Sequence, residues 1–358
     1  MEIIMKITVT KTQNPQSKPD AKGLGFGNYY TDHMFVMKYN EEQGWHDAQI
    51  LPYGNLSLSP ASVVFHYGAE IFEGLKAYRT PDGEVQLFRP WDNISRMNNS
   101  AERLCLPQLD PDEALEALHA LIEIDKDWVP SEPGTSLYIR PFLFGSDAKL
   151  GLHKIKEAMF VIILSPVGSY YKEGLNPVSI MIESEDVRAV RGGTGYAKCG
   201  GNYAASQRAS ARAEDKGFSQ VLWLDGVERK YIEEVGSMNV MFKIGGKVIT
   251  PALTGSVLPG ITRRSCIALM KDRGIEVEER LFSIDELAEA VENGTLEEAW
   301  GCGTAAVVSP VGMLEYKGKQ YKINNGEIGA LTQWLYDELT GIQWGKREDR
   351  YGWIDRIK

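Results

Sequence analysis

The chain is 358 residues long, enough for two domains of about 150 to 200 residues that each bury a core of their own. Its 39 Lys and Arg stand against 49 Asp and Glu, a net charge of −10 that opposes attraction to nucleic-acid phosphates or anionic membranes. No stretch approaches the ~18 apolar residues of a membrane span, and Cys105, Cys199, Cys266 and Cys302 have neither C-x-x-C spacing nor histidine partners suited to a metal or a disulfide framework. The expectation is a reduced, cytoplasmic protein with no bound metal.

In chain order, MEIIMKITVT alternates apolar and polar residues as an edge strand does, without the apolar block of a signal peptide. EVQLF (84–88), SLYIRPFLF (136–144) and AMFVIILSPV (158–167) read as strands. Between them PWDNISRMNNSAERL (90–104) and DPDEALEALHALIEIDKDWV (110–129) read as helices, the second opened by Asp110 as cap and Pro111 in the first turn. This alternation predicts a small α/β domain over residues 1–167. GSYYKEGLNP (168–177), rich in Gly, Tyr and Pro, is the expected interdomain linker.

Residues 178–358 read as a larger, strand-rich domain interrupted by two or three helices. QVLWLDG, NVMFKIGGKVIT and AAVVSPVGML supply strands, with a hairpin turn at Gly245-Gly246. In GEIGALTQWLYDELTGIQWG, Ile328, Leu331, Trp334, Leu335 and Leu339 recur at helical spacing, as a core-facing stripe does.

Five local patterns carry chemistry. Lys198, ahead of Cys-Gly-Gly-Asn-Tyr, is an amine beside unusually bare backbone, which suits a carbonyl-reactive lysine, although these residues alone favour a surface lysine before a turn. VLPGITRRSC starts a helix at Ile261 and Thr262, where unpaired N–H groups, a hydroxyl and the helix dipole favour an anion, though a plain loop-to-helix turn reads the same way. GCGTAAVVSP lets backbone amides near Thr304 approach a ligand. KYIEEVGSMNVMF sets Glu234 among apolar residues before a strand, where it could pair with a cationic ring nitrogen; Glu233 competes for that role. Arg96 and Arg103 share a helical face, and Tyr138 and Arg140 share a strand face, so either set could hold phosphate or carboxylate, or simply form surface ion pairs.

Jointly these are the parts of a pyridoxal phosphate enzyme. The segments FHYGAEIFEGLKAYR (65–79), LFRPWDNISRMNNSAERLCLP (87–107), SLYIRPFLFG (136–145), KCGGNYAAS (198–206), QVLWLDG (220–226), EEVGSMNVMF (233–242), LPGITRRS (258–265) and GCGTAAVVSPV (301–311) occur in this order, and the chain resembles a branched-chain amino acid aminotransferase almost end to end. That resemblance implies a two-domain α/β (α+β) protein of fold type IV, with a larger pseudo-barrel domain that binds pyridoxal 5'-phosphate. It also implies a homodimer whose neighbouring subunit contributes to each pocket.

The resemblance further implies that Lys198 forms a Schiff base with the cofactor, Glu234 pairs with its ring nitrogen and Tyr203 hydrogen-bonds its phenolic oxygen. Arg96, the N–H groups of Ile261 and Thr262, and Thr304 would hold the phosphate. Ser237 and the backbone at Thr304 and Ala305 would meet the substrate carboxylate, with Tyr138 and Arg140 nearby. Tyr67, Phe72 and Tyr203 would wall the side-chain pocket. The amino group of leucine, isoleucine or valine would pass to 2-oxoglutarate, with Lys198 as the base that moves the α-proton. Ser237 departs from the threonine of some relatives, and Ala306 and Ser309 stand where mammalian relatives carry a redox-active cysteine pair. Two other activities of the same fold, D-amino acid aminotransferase and aminodeoxychorismate lyase, would share the lysine and the glutamate but not the segments SLYIRPF and FEGLKAYR.

Overall fold

The structure is a computed structural model that describes residues 5–168 and 175–357; residues 169–174 of the expected linker lie outside the described residues. The strands run, in chain order, β1 (Thr8–Val9), β2 (His33–Asn40), β3 (Gly44–Pro52), β4 (Glu70–Phe72), β5 (Leu75–Arg79), β6 (Val85–Phe88), β7 (Ser136–Gly145), β8 (Glu157–Val167), β9 (Val178–Ile182), β10 (Gln220–Leu224), β11 (Ile232–Val235), β12 (Asn239–Ile244), β13 (Lys247–Pro251), β14 (Val277–Arg280), β15 (Leu296–Gly303), β16 (Val307–Tyr316), β17 (Lys319–Lys322) and β18 (Ile354–Ile357). The helices are α1 (Val63–Tyr67), α2 (Pro90–Arg103), α3 (Pro111–Ile124), α4 (Gly200–Asp215), α5 (Ile261–Asp272), α6 (Ile284–Glu292) and α7 (Ala330–Gln343). No α-helix among the described residues is long and apolar enough to cross a membrane.

One compact unit comprises the described parts of Met1–Lys172, Ala197–Gly200 and Gly341–Lys358. Its sheet has the order β1-β3-β2-β8-β7-β5-β6-β18, with β4 paired to β7 and the short β1 at the edge. Alternation along the strands assigns the two faces. Phe35 and Met37 of β2, and Leu137, Ile139 and Leu143 of β7, pack in one core with Ile94, Met97 and Ala101 of α2 and Ala117, Leu118 and Leu121 of α3. Met34, Val36, Phe144 and Val161 form a separate cluster that belongs to the opposite face. Tyr138, Arg140 and Phe142 therefore point away from α2 and α3, and Phe72 joins them because β4 pairs Phe72 with Phe142.

α2 and α3 form where the sequence reading placed them, and Asp110 caps α3 by accepting the N–H groups of Asp112 and Glu113 at 2.9 and 3.1 Å. The C-terminal strand β18 returns to β6, pairing Ile354 with Phe88.

The other unit comprises the described parts of Glu173–Tyr196 and Gly201–Thr340. Its sheet runs β11-β10-β9-β16-β15-β12-β13-β14, with β17 on β16, and β9 lies parallel to both β10 and β16. Ile180, Leu222, Val240, Phe242, Phe282, Leu287 and Val311 belong to one core on this sheet, so the curled strands close over side chains, not over an open channel. Gly245 and Gly246, with φ of 56° and 81°, form the expected tight turn between β12 and β13. In α7 the expected apolar stripe is realised by Leu331, Leu335 and Leu339, all buried, while Ile328 precedes the helix.

Candidate active site

In the first unit Lys198 is pinned through its main chain. Its N–H donates to Ser100 Oγ at 2.9 Å, and its carbonyl accepts the Phe72 N–H at 2.9 Å. The next residue, Cys199, bridges to Ile71. The glycines that follow open α4 instead of a turn, and Gly200 N–H donates to Glu70 Oε2 at 3.1 Å, so a carboxylate from β4 meets the positive end of the helix. A Cβ at Gly200 would stand 2.7 Å from that oxygen, so glycine lets the carboxylate approach this closely.

The lysine side chain is half-buried, with Nζ 4.8 Å from the Phe72 ring centroid. Arg140 lies over the same ring at 4.7 Å and donates Nη2 to Tyr138 Oη at 3.0 Å. Its Nε is buried and meets no hydrogen-bond partner among the described residues. Lys198, Phe72, Tyr138 and Arg140 are thus brought together. Tyr67, at the end of α1, is 44% exposed and accepts the Gly151 N–H at 2.8 Å.

Arg96 is buried on α2, one turn before Ser100. Its Nε and Nη2 donate to Glu73 Oε1 and Oε2 at 2.7 and 2.8 Å, and Asn93 Nδ2 adds a bond to Glu73 Oε2 at 2.8 Å. Burial pushes the Glu73 carboxyl up, but the Arg96 and Lys198 charges overcome it and hold it below the usual carboxylate range. Glu70 goes the other way: burial raises it, against the Gly200 N–H and the charges of Arg140 and Lys198. Glu73 and Ser100 were not singled out from sequence. The apolar-flanked glutamate in FEGLKAYR, and a serine one helical turn after Arg96, were the available signals.

In the second unit Glu233 and Glu234 lie within β11, not before a strand as the sequence suggested, and both are buried. Successive strand residues face opposite ways. Glu233 accepts the Ser256 hydroxyl, and burial raises its carboxyl despite that bond. Glu234 Oε1 accepts the Leu258 N–H at 2.6 Å, and its Oε2 lies 3.2 Å from Arg188 Nε, within ion-pair range but not aligned as a hydrogen bond.

Asn239 Nδ2 donates to Leu258 O at 2.9 Å, fixing the loop that enters α5 at Ile261 and Thr262. No side chain caps α5, and a Cβ on its N-cap Gly260 would collide with Asn239 Oδ1, so glycine leaves the Asn239 amide its place there. Pairing of Asn239 with Cys302 sets the tight Gly236-Ser237 turn and the Thr304–Ala306 turn at the same end of the sheet. Val307 closes the latter turn with φ 60°, a left-handed conformation costly for a β-branched residue. Ser237 is exposed, Thr304 and Ala305 are half-buried, Ile261 and Thr262 are buried, and Tyr203 is half-buried in the first turn of α4. No group of three or more His, Cys, Asp or Glu among the described residues could hold a metal.

Residues 70–313 match the family model for amino-transferase class IV. The chain is 55% identical to branched-chain-amino-acid aminotransferase 2 of Bacillus subtilis (strain 168), covering 99% of this chain and 97% of that protein. The crystal structure of a T.th. branched-chain amino acid aminotransferase with pyridoxamine 5'-phosphate aligns with a TM-score of 0.76 at 26% identity, over 90% of this chain and 98% of that one. The same enzyme complexed with N-(5'-phosphopyridoxyl)-L-glutamate aligns with a TM-score of 0.74, at the same identity and coverage.

Proposed function

The chain belongs to the class IV aminotransferase family as a branched-chain amino acid aminotransferase, and within that activity we propose that Lys198 is the residue whose amine carries pyridoxal 5'-phosphate and moves the substrate proton. The observation that carries this role is the placement of Lys198. Its main chain is held on both sides by Ser100 and Phe72, while its amine lies half-buried over an aromatic ring. Fixed backbone with a reachable amine is what a residue needs to work on an α-carbon that another group presents to it.

The residues present fit the cofactor. In the second unit the uncapped start of α5 would offer the N–H groups of Ile261 and Thr262 to a phosphate, and Thr304 a hydroxyl; in the first unit the Arg96 guanidinium, oriented by Glu73, is of the type that would serve the same anion. Glu234, a buried carboxylate beside a guanidinium, suits a ring nitrogen that must stay protonated, and it is better placed for that than Glu233, whose carboxyl burial drives toward the neutral form. Tyr203 would serve the phenolic oxygen. Bound pyridoxal 5'-phosphate supplies the electron sink for negative charge developing at the substrate α-carbon. Lys198 Nζ would take the proton from that carbon and deliver it back on the cofactor side. Ser237 and the backbone at Thr304 and Ala305 would orient the substrate carboxylate.

The second substrate we propose is 2-oxoglutarate. Tyr67, Phe72 and Tyr203 offer apolar walls for a leucine-like side chain, and the unpartnered Nε of Arg140 offers a polar group for a second carboxylate. The structural relative bound to N-(5'-phosphopyridoxyl)-L-glutamate supports a pocket that takes a glutamate side chain. The segments SLYIRPF and FEGLKAYR also favour this substrate pair over the D-amino acid aminotransferase and aminodeoxychorismate lyase activities, which have no support among these relatives.

A homodimer fits the exposed apolar side chains Phe65, Tyr67, Leu150 and Leu152, which gather where Tyr67 Oη meets Gly151. A cytoplasmic location fits four free cysteines. The test is the visible spectrum of the purified protein with cofactor, titrated with leucine and then 2-oxoglutarate. A yellow band lost to the first and restored by the second is expected, and Lys198→Ala should lack both the band and turnover. A band and turnover retained in that variant would refute the role of Lys198.

A further inference from the structure

Arg188 is a buried cation, 8% exposed, in the segment that leaves β9. Its Nη2 donates to the carbonyl oxygens of Gly195, at 3.3 Å, and Ser256, which fixes the guanidinium edge. Its Nε points into the neighbourhood of Glu234, 3.2 Å from Oε2. Two more buried carboxylates stand near: Glu233, whose Oε2 is buried and meets no partner among the described residues, and Asp225. The charges of Glu234 and Asp225 add to burial in raising the Glu233 carboxyl, and Arg188 opposes them. One guanidinium therefore acts on both glutamates of β11, and it lies against Glu234.

A buried carboxylate left to itself favours its protonated form. If Glu234 shares a proton with a ring nitrogen, that proton has two homes. On nitrogen it leaves a carboxylate facing a pyridinium, and on oxygen it leaves a neutral acid facing a neutral ring. A cation in contact with the carboxylate is nearer to the oxygen than to the nitrogen beyond it, so its Coulomb energy favours the first arrangement. Only that arrangement makes the ring a strong electron sink.

We propose that Arg188 is a positioning residue that keeps the shared proton on the cofactor's ring nitrogen by holding Glu234 as a carboxylate. This rests on Glu234 as the partner of that nitrogen.

The test uses holoenzyme reconstituted with cofactor labelled with 15N in the ring, compared by NMR in the wild type, Arg188→Gln and Arg188→His. The wild-type resonance should be that of a protonated ring. In Arg188→Gln it should move toward an unprotonated pyridine, with the rate of the leucine half-reaction falling roughly tenfold while KM changes little. Arg188→Lys, which keeps the charge, should restore most of both. Arg188→His carries its own control: the resonance should shift between about pH 5.5 and about pH 8, as the imidazole loses its charge, where the wild type stays flat. A wild-type signal that is protonated, and unchanged in both variants, overturns the role of Arg188 and leaves the rest of the site intact. An unprotonated wild-type ring overturns the Glu234 assignment and this inference together.

Discussion

Glu73 fixes the plane of Arg96. Two parallel hydrogen bonds, at 2.7 and 2.8 Å, join the carboxylate to the Nε and Nη2 edge of the guanidinium, with both side chains buried. The arginine expected to hold phosphate is thus oriented by a residue on another element, in the loop between β4 and β5.

Replacing Glu73 by Gln should therefore act first on cofactor retention. The amide has one acceptor where the carboxylate has two, and it leaves a buried guanidinium partly unpaired, which costs about 3 kcal/mol or more when a buried pair is broken outright. The expected outcome is a lower melting temperature and at least about tenfold weaker retention of the cofactor on dialysis. An unchanged cofactor dissociation constant in a folded Glu73→Gln protein would contradict the positioning role.

Arg140→Met should separate the two substrates. Its guanidinium is the polar group on the face shared by Phe72 and Tyr138, and a hydrogen bond to a charged group contributes about 1.5 to 3 kcal/mol. The KM for 2-oxoglutarate should rise tenfold or more, roughly, while leucine changes little. Equal losses for both substrates in steady-state kinetics would remove Arg140 from the rim.

Much of this was legible in the chain itself because it depends on local pattern. Helices α2 and α3 follow from apolar spacing and the Asp110 cap, the β12–β13 hairpin from Gly245-Gly246, and the joint face of Tyr138 and Arg140 from the two-residue period of a strand. What stayed hidden depends on which distant residue closes on which. Nothing in FEGLKAYR says that its glutamate grips Arg96, 23 positions on, or that Arg188 reaches Glu234. The return of β18 to β6 is similarly invisible, since a four-residue strand carries too little periodicity to choose a partner. Gly200-Gly201 read as loose backbone because glycine is a poor helix former. At Gly200 the start of α4 meets Glu70 closely, a contact no local rule supplies.

Lys76→Met should remove an alkaline pH dependence from the protein's stability. The amine is buried on β5 in register with Tyr138, and burial lowers it to about 8 from 10.5. A lysine depressed in the folded state is bound to fewer protons there than in the unfolded chain, so stability rises with pH between the two values. The charged amine is a cost below about pH 8 that vanishes by about 10.5. Unfolding measured across pH should show the wild type gaining on Lys76→Met by up to about 3 kcal/mol between about pH 7 and about 10.5. A difference between the two that does not depend on pH would rule out desolvation of the amine.

Asp225→Asn should lose stability at neutral pH. This carboxylate accepts four backbone N–H groups, from Val227, Glu228, Lys230 and Tyr231, at 3.1, 2.7, 2.9 and 2.8 Å, and so folds the connection that delivers β11 and its two glutamates. Burial raises the group, but the four bonds outweigh it and hold the carboxyl at about 2, below the 3.8 of a free side chain. A depressed carboxylate contributes stability that is fully present above the unfolded value and is lost as pH falls through the folded one. The contribution is about 2 kcal/mol at pH 5 and above, and roughly half of it remains at pH 3. Urea titrations should therefore show the wild type ahead of Asp225→Asn at pH 7 and the two converging in acid. Because the same loop feeds Glu233 and Glu234 into the sheet, the variant at pH 7 should also bind cofactor less tightly; intact retention there would mean that β11 holds its glutamates without help from Asp225.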